Sequence, residues 1–350
     1  MRQSNSASHP TAPRRRPIAA DPDGQVGELS VLDQRIVAAL QVDARASWRE
    51  IAQLVDSYES TVARRARTLI AVGAIRSTAI LDPIRVGQGY PVLLQLRCQP
   101  SRVTSVAQVL ADHTDVRFVT VVTGPFDVVA ELIVSSNRHL ARFLFDELAS
   151  IDGITDISTE TVLRNFKTSY DWSRELLDVP LPARISQEAS SIRIVELDGV
   201  DRRLVERLAE EGRSGFPELA AALGITESMA RRRVEALVSN GALLPITLVD
   251  PRLLGFEVEL TMWLHVDLSR LEDAAGALTA LPAVRYLSAT SGYSDLVGEV
   301  ILRSQEELYT FRTQVLGALP GLRRADLAIE LQTLKRAYLR LDQTPGFNPV

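Results

Sequence analysis

The spacing of apolar residues predicts three short helices near the start of the chain. Apolar positions over residues 32–40 recur with the period of an amphipathic helix. Ser47 offers an N-cap to a second helix, and Glu50 completes a capping box. A third helix is expected over residues 58–72, with Gly73 ending it. Helix, helix, tight turn and helix is the layout of a helix-turn-helix.

The period of the pattern then changes from about 3.6 to two. Alternating or apolar runs separated by two helical segments predict the order β-α-β-β-α-β, an antiparallel sheet with both helices on one face. After a short strand over 77–81, the predicted elements are strands over 90–98, 116–123, 126–134 and 154–167 and helices over 101–113 and 138–149.

The whole pattern occurs twice without a gap. Asp33 corresponds to Asp201 (201 − 33 = 168), and the same shift relates Arg45 to Arg213. A module of about 140 residues has therefore been duplicated and fused, here called copy one (from residue 29) and copy two (from residue 197). We expect the two copies to pair with each other inside one chain.

This pattern predicts an α+β fold: two winged-helix-like helix-turn-helix domains and two ferredoxin-like βαββαβ domains in tandem. The expected domains are a disordered arm (1–27), the first helix-turn-helix (28–75), the first α/β domain (76–172), a linker (173–195), the second helix-turn-helix (196–243), the second α/β domain (244–341) and a tail (342–350).

Composition excludes several classes of protein. The net charge of −5 argues against a surface coated in positive potential, although a local basic face remains possible. Cys98 is the only cysteine, and none of the four histidines recurs at the shift of 168, so neither a disulfide nor a metal site is expected. We expect no catalytic set, no cofactor, no membrane span and a cytoplasmic location, since no apolar run approaches the roughly 20 residues of a transmembrane helix.

The motifs of both copies resemble those of the leucine-responsive and asparagine-responsive (Lrp/AsnC) regulators. The resemblance is carried in copy one by residues 32–33, 43–45, 50–52, 60–65, 73–75, 81–83 and 124–127, and in copy two by 200–201, 211–213, 218–220, 231–233, 241–243, 249–251 and 292–295. It implies DNA-binding domains joined to small ligand-sensing α/β domains, double-stranded DNA and an amino-acid-like effector as partners, and assembly into dimers and larger rings.

The outward side of each third helix is the expected DNA interface. Arginine suits guanine edges, and Ser or Thr suits phosphates; the candidates are Ser60, Thr61, Arg64 and Arg65, and Thr226, Ser228, Arg231, Arg232 and Arg233. Arg65 and Arg233 could equally brace the first helix through its acids. Copy one lacks the Ile-Thr pair of the second turn, so its third helix is expected to be capped by Ser57 or Asp56.

The resemblance also implies an effector site at the loop between the two middle strands. The candidates are Thr123, Gly124 and Asp127 in copy one, and Ser291, Gly292 and Asp295 in copy two. Backbone N–H groups at the glycine could bind a carboxylate, and the aspartate could pair with an ammonium group. The same residues would suit a plain hairpin turn. Glu131 and Glu299 are expected on a solvated or interface face.

These observations favour a bacterial, sequence-specific transcriptional regulator with an amino-acid-like effector. Two alternatives stay open. Siroheme decarboxylases resemble this family in fold, but their chemistry depends on His and Arg, and His113 and His139 have no counterparts in copy two. The second alternative is a sensor that has lost DNA binding, since Tyr58 and the acidic second helix-turn-helix depart from the usual pattern.

Overall fold

The computed structural model describes residues 29–168, 170–177 and 194–343. The predicted arm, most of the predicted linker (178–193) and most of the predicted tail (344–350) lie outside the described residues.

Helices and strands follow the same order in both copies. Within the described residues the helices are α1 (Val31–Val42), α2 (Trp48–Leu54), α3 (Glu59–Ala71), α4 (Val103–Asp112), α5 (Asn137–Arg142), α6 (Gly199–Glu210), α7 (Phe216–Leu223), α8 (Glu227–Ser239), α9 (Leu271–Thr279) and α10 (Gln305–Thr310). The strands are β1 (Ile75–Leu81), β2 (Tyr90–Cys98), β3 (Val116–Val122), β4 (Val128–Val134), β5 (Ile154–Thr168), β6 (Leu243–Val249), β7 (Val258–Val266), β8 (Val284–Thr290), β9 (Leu296–Leu302), β10 (Leu322–Arg336) and β11 (Leu339–Arg340).

Helices α1–α3 form head one, and α6–α8 form head two. Each head buries the apolar stripe that the sequence predicts, for example Ile36, Leu40 and Leu69 in head one. Both third helices end at a glycine with positive φ, Gly73 (73°) and Gly241 (72°), where a side chain would be strained.

A two-stranded antiparallel ribbon joins the heads to the rest of the molecule. It is formed by β1 of copy one and β6 of copy two, in register from Ile75 opposite Val249 to Leu81 opposite Leu243. Head one packs on apolar residues of copy two, and head two packs on β1 of copy one. Each head is therefore held by the opposite copy.

Strands β2–β5 and β7–β10 close into one ring, which we call the barrel, and β11 pairs with the end of β10. The first half of β5 pairs with β2 and its second half with β8 of the other copy. Likewise the first half of β10 pairs with β7 and its second half with β3. The predicted pairing of the two copies inside one chain is confirmed, and the two long strands accomplish it.

The helices α4, α5, α9 and α10 cover the outer faces of the barrel. Residues of β2 alternate accordingly: Leu94 packs under α4, whereas Leu93 points into the barrel with Trp263 and Val297 of copy two. None of the helices in the described ranges combines the length and apolar character needed to traverse a bilayer.

Candidate functional site

The third helix of each head presents a polar outer face. On α3, Ser60 and Arg64 are exposed, and Thr61 between them is half-buried. On α8, Ser228 and Arg232 are exposed. The N-cap of α8 is Thr226, whose hydroxyl accepts from the N–H of Met229 at 3.3 Å, so that hydroxyl is engaged in capping the start of the helix.

The guanidinium groups of Arg65 and Arg233 turn back toward the first helix of their heads. Arg65 Nη1 lies 2.9 Å from the carboxylate of Asp33, which is fully buried. Arg233 Nη1 lies 2.7 Å from both Asp201 and Asp198. These two of the nine predicted DNA-contact residues therefore make the bracing ion pairs that the sequence left as the alternative.

The other arginines of these faces differ in what holds them. Arg231 bonds to Glu227 at 3.3 Å and lies over the ring of Phe216 at 4.4 Å. Arg64 and Arg232 are exposed, and neither guanidinium has a hydrogen-bond or ion-pair partner within the described part of the chain. They remain available to a phosphate or a base edge.

The start of α3 differs from the sequence prediction. Its N-cap is Tyr58, without a side-chain cap hydrogen bond, so capping by Ser57 or Asp56 was wrong. Asp56 instead turns the chain at a φ of 51°. Tyr58 is 82% exposed beside Ser60 at the start of the outer face. Its phenol is an additional polar group on this face that the sequence prediction did not include.

Two arginines clamp the heads together reciprocally. Arg45 donates to the carbonyl oxygens of Gly212 (2.6 Å) and Ser214 (3.0 Å). Arg213 donates to those of Ala44 (2.5 Å) and Ala46 (2.7 Å).

Each clamp arginine also stacks on an aromatic ring of the opposite head. Arg213 lies 4.0 Å from the ring centroid of Trp48, and Arg45 lies 5.1 Å from that of Phe216. Burial, followed by the nearby charge of Arg45, lowers the pKa of Arg213 to about 10. The repeat marked both arginines as equivalent, but no sequence signal indicated that they face each other's heads.

The predicted effector residues lie in two equivalent loops that anchor the crossing strands. The hydroxyl of Thr123 accepts from the N–H of Ile329 on β10 at 2.9 Å. The hydroxyl of Ser291 accepts from the N–H of Thr161 on β5 at 3.1 Å. Both hydroxyl-bearing residues thus hold the strand that arrives from the other copy.

The aspartates of these loops bind the ends of neighbouring strands. Asp127 accepts from the N–H of Cys98 at 2.8 Å, and Asp295 from that of Val266 at 2.9 Å, each through Oδ2. Gly124 and Gly292 are exposed.

The two loops meet at one end of the barrel. The ring of Phe126 in the first loop lies edge-on to that of Tyr293 in the second, with centroids 5.7 Å apart. The structure therefore brings the six predicted effector residues into two adjoining loops.

A cavity of about 320 Å³ lies elsewhere in the barrel, below the ribbon. Its wall combines residues of both copies, including Arg117 and Glu131 of copy one and Arg285 and Glu299 of copy two. Gln41 of α1 and residues 247–250 on and after β6 also line it, so the cavity reaches head one and the ribbon.

Charged groups in this wall form paired networks. Arg117 forks onto Glu131 with distances of 2.6 and 2.7 Å. In the same way Arg285 and Arg336 both bond to the carboxylate of Glu299. Glu131 and Glu299 are 6% and 7% exposed, so of the two predicted settings the solvated face is wrong; both residues line the cavity where the two copies face each other.

The pKa values of two carboxyl groups of copy two are shifted in opposite directions. Burial raises the pKa of Glu299, but Arg285 and Arg336 outweigh it and hold that pKa below its usual range. Burial, reinforced by Glu299 and Glu259, raises the pKa of Glu330 well above the ordinary value.

Glu259, Glu299 and Glu330 are the described residues whose spacing could suit a metal ion, with ligand atoms within 4.8 Å of one another. Arg285 and Arg336 already donate to oxygens of this group, so a metal ion would have to displace guanidinium groups. These three carboxylates therefore suit ion pairs with organic cations, such as guanidinium groups, better than coordination of a metal ion.

Family models match both halves of the chain. The Lrp/AsnC ligand binding domain matches residues 92–172 and 259–339. The AsnC-type helix-turn-helix domain matches residues 29–70 and 197–238. Together these four segments cover more than half of the chain.

Curated relatives match a single copy along nearly their whole length. An uncharacterized HTH-type transcriptional regulator of Pyrococcus furiosus is 34% identical over 147 residues, which is 42% of this chain and 98% of the relative. The HTH-type transcriptional regulator LrpA of Pyrococcus horikoshii is 29% identical over 140 residues, 40% of this chain and 99% of the relative. These archaeal relatives give no support to the expected bacterial source.

Among solved structures, the siroheme decarboxylase NirDL resembles the whole chain. The match has a TM-score of 0.58 at 15% identity and covers 89% of this chain and 94% of that one. At this identity the likeness shows a shared fold and nothing about chemistry.

Proposed function

Since the chain belongs to the Lrp/AsnC family and is a DNA-binding transcriptional regulator, we propose that its two heads read two half-sites of one operator together. The observation that carries this proposal is the reciprocal clamp of Arg45 and Arg213, which gives the two recognition helices a fixed relation. Heads fixed in this way favour half-sites at one spacing, about one helical turn of DNA or a multiple of it.

The two heads are unlike, which favours an imperfect palindrome. Head one carries the exposed arginines Arg64 and Arg67 on α3, whereas the equivalents on α8 are Arg232 and Glu235 (67 + 168 = 235). A carboxylate near phosphates weakens binding, so head two contributes less nonspecific affinity than head one. Ser60, Thr61, Ser228 and Arg231 complete the proposed contact faces, with Thr226, Arg65 and Arg233 in supporting positions.

Quantitative footprinting of the full chain on genomic fragments tests this proposal. Two protected segments on one face of the DNA, with unequal salt dependence, are expected from one chain. A single protected half-site per chain would contradict joint reading by the heads. Binding that is absent at low ionic strength would favour the sensor that has lost DNA binding.

We further propose that the paired loops bind an amino-acid-like effector. Support comes from the family relationship and from the exposure of Gly124 and Gly292 at the meeting point of the loops. The backbone N–H groups there suit a carboxylate, and the second oxygens of Asp127 and Asp295 suit an ammonium group. Association of several chains into a larger ring belongs to the same proposal, because the family's effector sites lie between subunits.

A thermal-shift screen of the amino acids, read with the mass of the protein in solution, tests the effector proposal. Stabilisation by one amino acid, lost when Gly124 and Gly292 are both replaced by valine, is the expected result. Glycine-to-alanine replacement at Gly199, where nothing lies within 4 Å of an added methyl group, is the control.

A tetrapyrrole enzyme is the second candidate, favoured only by the fold that the chain shares with NirDL. His113 pairs with Glu147 and His139 with Asp115, and no histidine lines the cavity among the described residues. A volume of about 320 Å³ is at the small end of ligand pockets. Addition of siroheme is therefore expected to give neither a shifted Soret band nor decarboxylation.

A further inference from the structure

The cavity of the barrel contains charges that the fold does not need. Copy one closes its side with the single pair Arg117–Glu131. Copy two repeats that pair as Arg285–Glu299 (117 + 168 = 285; 131 + 168 = 299) and adds three charged residues to the buried and half-buried wall. The additions are Glu259, Glu330 and Arg336, where copy one has Pro91, Val162 and Thr168 at the shift of 168.

Burial of these extra charges is costly. Each ion taken out of water loses several kcal/mol of solvation, and ion pairing recovers this only when the geometry is excellent. Because copy one forms the same half of the barrel with an apolar residue at the position of Glu330, closure of the barrel does not explain the cost. Additional ionisable groups in a cavity make it a candidate binding site.

The surplus is one carboxyl group. The buried and half-buried wall holds three guanidinium groups (Arg117, Arg285 and Arg336) against four carboxylates, as Glu131, Glu259, Glu299 and Glu330 all line the cavity. At the rim, Asp250 and Arg252 bond to each other, and the exposed Glu257 adds a further carboxylate.

Glu330 is the least compensated of the four. Its side chain is 2% exposed, and its nearest guanidinium nitrogens are those of Arg336 at 3.5 Å and Arg285 at 3.9 Å. Its closest donors are the hydroxyl groups of Thr261 (3.1 Å) and Thr333 (3.3 Å). A cation placed beside Glu330 would supply what the protein does not.

The rest of the wall suits an apolar body. Aromatic rings of Phe118, Tyr170 and Trp172 line the cavity, and Val129 and Val297 contribute aliphatic surface. Aromatic faces also attract cations. A ligand carboxylate finds no such match, since all three buried guanidinium groups already bond to glutamates.

We propose that this cavity binds a small aliphatic primary amine, with its ammonium group beside the carboxylate of Glu330 and its alkyl chain against the aromatic wall. Glu259 and Glu299 already accept from Arg285 and Arg336 at 2.8 and 2.7 Å, so Glu330 is the carboxylate left for the ammonium group. This site is separate from the paired loops and takes a different ligand.

The position of the cavity gives the amine a route to DNA binding. Gln41, near the end of α1, lines the cavity and accepts hydrogen bonds from the N–H (3.3 Å) and hydroxyl (2.5 Å) of Ser173. Residues 247–250, at the end of β6 and just after it, line it too, and α1 packs against β6. An effect of the amine on DNA binding rests on the proposed function, whereas binding of the amine to the cavity does not.

Titration of the full chain with n-butylamine, without DNA, tests the site. Trp172 in the wall supplies a fluorescence signal, which the Trp172→Phe variant should remove, and calorimetry gives the affinity. We expect saturable binding of the amine, at least about tenfold tighter than that of n-butanol or butyrate, because only the ammonium group meets the carboxylate. Equal binding of amine and alcohol, or displacement of the amine by Mg²⁺, overturns the proposal.

Glu330→Gln keeps the shape and removes the charge. We expect it to weaken amine binding by at least about tenfold, while Glu272→Gln, at an exposed position on α9, leaves it unchanged. Unchanged binding by Glu330→Gln overturns the proposal. If that variant does not fold, the comparison of amine with alcohol on the unaltered chain decides alone. Electrophoretic shift of operator DNA without amine reports the proposed function separately.

Discussion

Lys167 and Lys335 perform the same task on opposite halves of the molecule. Lys167 Nζ donates to the carbonyl oxygens of Thr279 (3.1 Å), the last residue of α9, and of Leu281 (2.8 Å), just past it. Lys335 Nζ donates to that of His113 (2.7 Å), just past α4. These are the only lysines of the chain, and each reaches from a crossing strand to a helix end of the other copy, where a positive charge is favourable.

The first prediction concerns the pH dependence of stability. Burial, followed by the charge of Arg340, lowers the pKa of Lys335 to about 8, whereas an unfolded lysine titrates near 10.4. Below pH 8 the lysine is protonated in both states. Between about pH 8 and 10 the folded protein has lost this proton and the unfolded chain still holds it, so stability rises with pH.

Thermal unfolding of the unaltered chain and Lys335→Met from pH 7 to 10 checks this. The difference in melting temperature should move in favour of the unaltered chain as pH rises above 8. A constant difference would mean that Lys335 does not titrate in this range. Lys167→Met should give a difference of the same sign, because burial lowers the pKa of Lys167 as well.

The second prediction concerns the clamp between the heads. Arg213→Leu keeps part of the apolar stem and removes two charged hydrogen bonds to the other head, which should cost about 2 kcal/mol of unfolding free energy. Affinity for DNA carrying both half-sites should fall more than affinity for one half-site. Arg45→Leu should behave alike, and equal losses on both DNAs would disconnect the clamp from operator reading.

The third prediction concerns one glycine. An added methyl group at Gly212 would lie 2.5 Å from the backbone nitrogen of Thr78 on β1, so Gly212→Ala must push head two away from the ribbon. We expect a clearly lower melting temperature. Gly199→Ala, whose methyl group would meet nothing within 4 Å, is the matched control. A Gly212→Ala variant as stable as the control would refute the close approach.

The fourth prediction concerns DNA contact. Arg64→Ala and Arg232→Ala should each weaken operator binding by about 1 to 3 kcal/mol at fixed salt if they contact base edges. Arg312→Ala, exposed on the barrel, should leave the isotherm unchanged. By contrast, Arg65→Ala should lower the stability of head one, because it leaves the carboxylate of Asp33 buried and unpaired. An isotherm unaffected by Arg232→Ala removes that residue from the interface.

Local periodicity and the repeat predicted most of the fold. The strand at 154–167 was expected within one residue of β5, because its turns and alternation are local signals. The sequence did not predict that β5 leaves its own sheet at Val162 and pairs with β8. Exchange between the copies depends on register with a distant strand, which local patterns do not encode. The gapless repeat indicated pairing but not its route.

The sequence predicted one of the candidate sites, the outer faces of α3 and α8, but not the cavity. Polar residues on α3 and α8 followed from helical periodicity, and the exposure of Arg64 and Arg232 agrees with it. The cavity could not be predicted, because Glu131 and Glu299 on central strands look like any outward polar position until the second sheet faces them. Glu330 reads as an ordinary strand residue for the same reason.

The two copies that exchange β5 and β10 belong to one chain, so their pairing is independent of dilution. In a dimer of separate subunits both partners come from one gene, so a base change in either half-site meets the same protein surface. Here the two copies are covalently joined and separately encoded, so mutations can accumulate in one recognition helix without changing the other. Fusion thus allows the two recognition helices of a symmetric fold to adapt separately to half-sites of different sequence.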